Sequence, residues 1–483
     1  QKGGPQASSA AAGRRARHLF RYHRTRQSYG LSAQDARARG REAVRGLVSQ
    51  PLWVLVLRVA TLGSTFSSFS RHPFVRNVMA VAGGTAAAQA ITMAFAPIIT
   101  RLYGPEAFGV QGTFLSLVSI VTPLSALAYP IAIVLPRSDA DAQALKWLSM
   151  LVACAVATIV LLGLLLAFDV AAGILGDQSV APFLWLLPIV VILAAWQQVT
   201  QQWLIRKETF KSLARIAVIQ AFVVNSARAG LGLMSATATM LVAVTTLGFG
   251  LHGAMQWWAG RRCPPDEIPQ EKAKALREQA KQHRDFPLFR APEMILSAIS
   301  ESLPVLVLAA AFGPAEAGFY ALARSIVHLP LDLIGQSVAN VFYPKFNAYA
   351  LAGRPLLPLL FKALGILSAI GLPAFVLIAA ISPWLFSLVF GAEWQRAGVY
   401  ASLLSIWLFV KFTNRPCIGA TSVLSMQRLF LFQGIIALVI RAVALWIGGY
   451  LLADDLWTVG LFGVASAFAA AFLIALVAWR ARN

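Results

Sequence analysis

Eight charged residues fall inside stretches of this chain that are otherwise too apolar to be loops, and their spacing is helical. Arg324, His328 and Asp332 stand at i, i+4 and i+8, and Gln336 continues the line, so the four share one helix face. Lys411 and Arg415 form a second i, i+4 pair, Ser297 and Glu301 a third, and Asn225 and Arg228 share another face. Arg441 and Glu293 complete the set, and Arg101 stands just outside it. An ionisable group in hydrocarbon is costly unless it meets a partner or lines a wet cavity. One reading is internal pairing, with Arg324 and Asp332 bridged by His328 as glue between helices. The other is a cationic, water-filled cavity. Five bases (Arg228, Arg324, Lys411, Arg415, Arg441) face three acids (Glu293, Glu301, Asp332), so pairing alone leaves charge over. Such a cavity suits an anionic head group, because guanidinium forks match phosphate oxygens bidentately. Pro330 is expected to loosen its helix.

The elements that must position these residues follow from composition. The chain has 483 residues, 58% hydrophobic and 13% charged, where a soluble domain carries about 25% charged residues. That excludes a cytosolic enzyme or a free nucleic-acid binder. From Asn77 onward there are twelve segments long enough to cross a bilayer: 77–99, 110–134, 148–168, 180–204, 216–234, 236–258, 291–312, 318–342, 359–382, 398–420, 429–452 and 456–479. None shows the period-2 alternation of barrel strands, so an all-α polytopic fold is expected. The even-numbered connections and the C-terminus hold twenty basic residues, and the odd-numbered ones only Arg101 and Arg396. That asymmetry places both ends of the core in the cytoplasm.

The formal charge of +21 divides unevenly. Residues 1–76 carry fourteen bases against Asp35 and Glu42, net +12, and the remainder carries +9. Residues 1–73 read as a basic, disordered tail, with 47–70 interfacial or unstructured and no signal peptide. Its 13:1 ratio of Arg to Lys, against 18:9 in the core, points to a different origin, such as a mis-set translation start. A cytoplasmic tail binding anionic lipid is the alternative.

The core repeats itself. LYGPEAFG at 102–109 returns as AFGPAEAGFY at 311–320, and Pro136-Arg137 as Pro344-Lys345, at offsets of 209 and 208. ILGDQ at 174–178 is matched by VFGAEW at 389–394. Two six-helix lobes in parallel orientation are therefore expected, 74–258 and 291–483, joined by a charged cytoplasmic linker at 259–290. Parallel-repeat transporters hold substrate between two bundles and rock one against the other.

Other chemistry is poorly supported. There is no P-loop, and Cys154, Cys263, Cys417 and six histidines show no metal or disulfide spacing, so neither cofactor nor metal is expected. Asp139-Ala-Asp141 fits a glycosyltransferase DxD pattern but lies in a short loop with no catalytic domain around it. Glu106 and Glu316 belong to the repeated turn and read as surface residues.

NVMAVAGGTAAAQAITMAFAPIITRLYGPEAFG and the long segment from FPLFRAPEMILSAISES to VANVFYPKF resemble the first span and the seventh and eighth spans of bacterial polysaccharide-transporter flippases. These belong to the multidrug/oligosaccharidyl-lipid/polysaccharide exporter superfamily, and the resemblance covers about 74–479. It implies two six-helix lobes in the inner membrane and movement of undecaprenyl-pyrophosphate-linked oligosaccharide between leaflets, for O-antigen, capsule or exopolysaccharide. It also implies work beside glycosyltransferases and a polymerase, with no catalysis by the chain itself and no nucleic acid. On this reading Arg324, Arg228, Lys411, Arg415 and Arg441 attract the pyrophosphate, Arg101 aids release, and Glu301, Asp332, His328 and Gln336 serve coupling or pairing. A cation-coupled multidrug exporter of the same superfamily is the nearest rival. Such exporters are expected to line the cavity with acids, and the first span has none. A membrane glycan polymerase or ligase would need a large outer loop.

Overall fold

The computed structural model describes residues 73–176, 178–265, 271–424 and 426–482. The sequence expectations for the tail at 1–72, including 47–70, lie outside the described residues. The described chain is helical and carries no strand. The first half consists of α1 (Pro73–Leu102), α2 (Pro105–Ser125), α3 (Asp139–Leu175), α4 (Leu187–Arg206), α5 (Phe210–Met234) and α6 (Ala238–Gly260). A linker helix, α7 (Lys272–Gln282), precedes α8 (Ala291–Phe312), α9 (Pro314–Leu351), α10 (Leu356–Phe390), α11 (Gln395–Thr413), α12 (Arg415–Val423), α13 (Gln427–Trp446) and α14 (Asp455–Arg482). All twelve expected segments are helices, with α11 and α12 together forming the tenth.

Ten described helical stretches are long and apolar enough to cross a membrane. Those at Asp139–Gly173 and Leu356–Phe390 are among the most apolar, and little of either is buried inside the protein. Their outward side chains include Leu166 at 87% exposure and Leu151 at 62%. Apolar residues all round a helix are stable against lipid and not against water. The protein is thus a multi-pass membrane protein. The two segments that fail the apolarity test are α9 and α11, which carry Arg324 and Asp332, and Arg396 and Lys411.

The repeat is visible in the helix ends. Pro105 and Pro314 each open a helix at its first position, where proline's missing N–H costs nothing. Gly176 and Gly391, with φ of +65° and +119°, each close a long helix in a conformation that a side chain would strain. The third matched pair does not hold. Pro344 lies inside the continuous helix α9, whereas Pro136 follows a break after Ser125 where Leu127 and Ala128 turn left-handed. The expected span 110–134 therefore ends at Ser125 and is followed by a short turn, Tyr129–Ala132. The first copy carries Pro123 and Pro130 where the second has Asp332 and Ala339, and each added proline removes a helical hydrogen bond. Nor does Pro330 end its helix, which runs through it to Leu351.

Each half has its own apolar core. Phe114, Leu184, Leu187 and Val242 pack together in the first, and Tyr320, Phe386, Trp394, Tyr400 and Phe462 in the second. The halves meet through the repeated turns. A Cβ on Gly109 would overlap the Pro314 carbonyl, and one on Gly318 would overlap that of Pro105, so each helix uses its glycine to cross the start of the other. Trp394, 1% exposed, completes this junction. Its Nε1 donates to the Thr100 carbonyl at 3.2 Å, and its ring lies edge-on to Phe108 and Phe319.

Candidate substrate-binding site

The second half gathers charge around one carboxylate. Glu301, on α8, accepts from Arg324 Nη2 at 2.8 Å on one oxygen and from Lys411 Nζ at 3.2 Å on the other. Arg324 Nη1 also donates to the Glu301 carbonyl at 2.8 Å, so the guanidinium fork grips a single residue. At the residue before Glu301, Arg441 Nη1 donates to Ser300 Oγ at 2.5 Å, and the Arg441 Nε is buried with no hydrogen-bond partner among the described residues. Trp407 lies beneath the cluster, with Lys411 Nζ 5.1 Å and Arg441 Cζ 6.0 Å from its ring and the His328 ring at 5.8 Å. Arg415 lies within electrostatic reach of Lys411. A cavity of about 220 Å³ opens beside these groups, bordered by Glu301, Lys411, Asn414, Ser300 and Arg441. Among the described residues, Arg324, Lys411 and Arg441 therefore gather at Glu301 and its neighbour Ser300. Such a pocket can take up an anion by exchanging Glu301's hydrogen bonds for those of a phosphate.

Helix geometry explains the convergence. Arg324 sits four residues beyond Tyr320 on α9, so both project from one face toward α8. Lys411 ends α11, Arg415 opens α12 after a break at Asn414, and Arg441 comes from mid-α13. Glu293 pairs with Arg290 at 2.6 Å and also borders the cavity.

Arg324 turns across to α8, and His328 Nε2 is buried with no hydrogen-bond partner among the described residues. The backbone of Asp332 and Gln336 is helical, but their side chains lie outside the described residues. Arg228 is not part of the cluster. It lies in the first half, where Nη2 donates to Thr245 Oγ1 at 3.0 Å, its own carbonyl accepts from Tyr103, and it meets no described carboxylate. Arg101 lies at the junction of the halves and donates to the Leu388 carbonyl at 3.1 Å. Asp139 and Asp141, the DxD pair, are structural. Asp139 is held by Arg206 and Lys207, while Ser138 caps α3 by accepting from the Asp141 amide.

Sequence reasoning missed Ser300, Tyr320, Trp407 and Asn414. Tyr320 was within reach, being one turn before Arg324 on the same face, and its hydroxyl is buried without a partner. Trp407 is likewise one turn before Lys411.

Residues 98–398 match the family described as polysaccharide biosynthesis protein. The chain belongs to that family. A curated relative, the succinoglycan biosynthesis transport protein ExoT of Rhizobium meliloti (strain 1021), is 21% identical over 317 residues, 64% of this chain. The match spans 61% of that relative's length. Among solved structures, an inward-facing multidrug resistance MATE family transporter of the MOP superfamily superposes with a TM-score of 0.62 at 13% identity, covering 81% of this chain and 94% of that one. The lipid II flippase MurJ in an inward closed conformation gives 0.63 at 11% identity, covering 83% and 87%. These likenesses carry the fold: the polysaccharide biosynthesis protein has the twelve-helix, two-bundle architecture of MOP-superfamily transporters.

Proposed function

We propose that the protein flips undecaprenyl-pyrophosphate-linked glycan units from the inner to the outer leaflet of the bacterial cytoplasmic membrane, supplying a polymerase after glycosyltransferases have built the unit. The observation that carries this reading is the set of bases around Glu301: Arg324 and Lys411 on its carboxylate and Arg441 on the neighbouring Ser300, beside an open cavity. On this reading the pyrophosphate displaces Glu301 from Lys411 and Arg324, and the isoprenoid stays in lipid. The 74–258 and 291–483 lobes rock about the junction at Trp394, which on this reading is the outer end. Arg228 adds a lone positive charge in the first lobe, and Arg101 latches the outer ends rather than binding the head group directly. Glu301, with Asp332, His328 and Gln336 along the facing helix, is placed to couple the cycle to proton movement.

The test is replacement of Lys411 and Arg441 by Ala in cells that make a lipid-linked glycan. Surface polymer is expected to fall at least tenfold at unchanged protein level, with complete lipid-linked units accumulating on the inner leaflet. Unchanged polymer output overturns the role given to the cluster. A matched panel of cationic drugs separates the exporter reading: lost drug resistance with normal polymer would favour it. The acid-free α1 speaks for the anionic substrate. Glycan accumulating on the outer leaflet would instead favour a polymerase.

A further inference from the structure

A second basic cavity, remote from Glu301, lies in the first lobe. About 290 Å³ is enclosed between the start of α3, the end of α4, the end of α6 and the loop that follows. Lys146 and Arg261 line it, and each lies over an indole: Lys146 Nζ is 4.2 Å from the Trp203 ring and Arg261 Cζ 3.8 Å from that of Trp257. The walls are held in place. Trp203 Nε1 donates to the Cys263 carbonyl at 3.2 Å, and Thr200 Oγ1 to buried Gln256 Oε1 at 3.0 Å. Neither Lys146 nor Arg261 forms an ion pair among the described residues. The acid whose field reaches Lys146 is Asp139, and Arg206 and Lys207 already engage both of its oxygens.

Trp147, Trp257 and Trp258 are 58%, 45% and 61% exposed beside this cavity. Indoles concentrate at head-group depth, so the opening lies where lipid phosphates lie. The basic loops assign this end to the cytoplasm. At about 290 Å³ the cavity has room for a phosphate head group.

We propose that this cavity binds the phosphate-ester head group of an anionic membrane lipid, with Lys146 and Arg261 neutralising the phosphate and Trp203 and Trp257 flanking it. The source is either bilayer glycerophospholipid or a polyprenyl pyrophosphate docked before it enters the central cavity. Binding here is independent of the flippase reading, because it is measured without transport.

Native mass spectrometry of the full chain, titrated with phosphatidylglycerol, phosphatidylcholine, undecaprenyl pyrophosphate and inorganic phosphate, tests it. Phosphatidylglycerol or the polyprenyl lipid is expected to be retained at least tenfold more tightly than phosphatidylcholine. The double variant Lys146→Gln, Arg261→Gln is expected to lose that preference. Arg262→Gln, whose guanidinium sits over Trp258 and does not line the cavity, is expected to keep it. Charge-preserving Lys146→Arg with Arg261→Lys is expected to restore it, which separates recognition from misfolding. Competition between the two lipids names the source, and displacement by inorganic phosphate supports the phosphate as the recognised group. Equal retention of phosphatidylcholine, or undiminished retention in the double variant, overturns the proposal.

Discussion

Glu301 carries more of the site than any base around it. Its carboxylate lies between Arg324 and Lys411, which repel each other and Arg415 once it is neutral. Glu301→Gln preserves shape and removes that charge. We expect a stability loss of about 1–3 kcal/mol, toward the low end because the Glu301 side chain is 40% exposed and water screens part of the repulsion. The thermal midpoint of the purified protein reads the loss, and Lys411→Met in the same background is expected to recover part of it. No recovery would mean that Glu301 acts through packing alone. The residue pattern made the basic excess legible, because five bases against three acids can be counted in any sequence. The partner of Arg324 was not legible: α8 and α9 lie 23 residues apart at this contact, and Asp332 was the nearer acid along the chain.

At the scale of elements, two helix contacts make measurable claims. The crossing of α2 and α9 tolerates only glycine, since any Cβ at Gly109 meets the backbone of Pro314. Gly109→Ala is therefore expected to part the outer helix ends at a cost of about 1–3 kcal/mol. Labelling of a cysteine placed at buried Thr100 by a membrane-impermeant maleimide should rise several-fold. Gly163→Ala, which meets open space, should leave labelling unchanged. The second contact is the docking of α7 on α3, where Gln279 donates to Asp141 at 2.9 Å and His283 is buried nearby. Burial lowers the His283 pKa below its ordinary value, and the Asp141 charge opposes the shift only in part. The undocked histidine then binds protons more readily than the docked one. Docking is strongest above the ordinary value near 6.5 and weakens as pH falls through it toward the lowered value. Hydrogen exchange across 272–282, corrected for intrinsic rate, should accelerate between pH 7.5 and 5.5, and His283→Gln should remove the difference.

At the scale of the whole molecule, the loop charges make a topological claim that is independent of any substrate. Cys263, in the α6–α7 connection, and a cysteine placed at Arg482 should react with impermeant reagent only from the cytoplasmic side. One placed at Glu393, beside the outer junction, should react only from outside. The opposite pattern would invert the orientation and move the sealed Trp394 junction to the inner face. The lobes meet where the repeated turns cross, so motion about this junction requires repacking of Phe108, Phe319 and Trp394, the edge of the second lobe's core.

The amino-acid sequence by itself determined the number of membrane helices, their repeat and the preponderance of basic loops on one side. All three follow from local composition: a run of apolar residues has one stable form in lipid, whatever it packs against. Tertiary structure alone decided which charges meet. Arg324, Lys411 and Arg441 share a site because α8, α9, α11 and α13 converge, while Arg228, on an equally amphipathic helix, does not join them. It decided that Gly109 and Gly318 are the crossing points and that Lys146 and Arg261 enclose a cavity. Such contacts join residues tens to hundreds of positions apart, and helix periodicity says which face a side chain is on without saying what lies opposite.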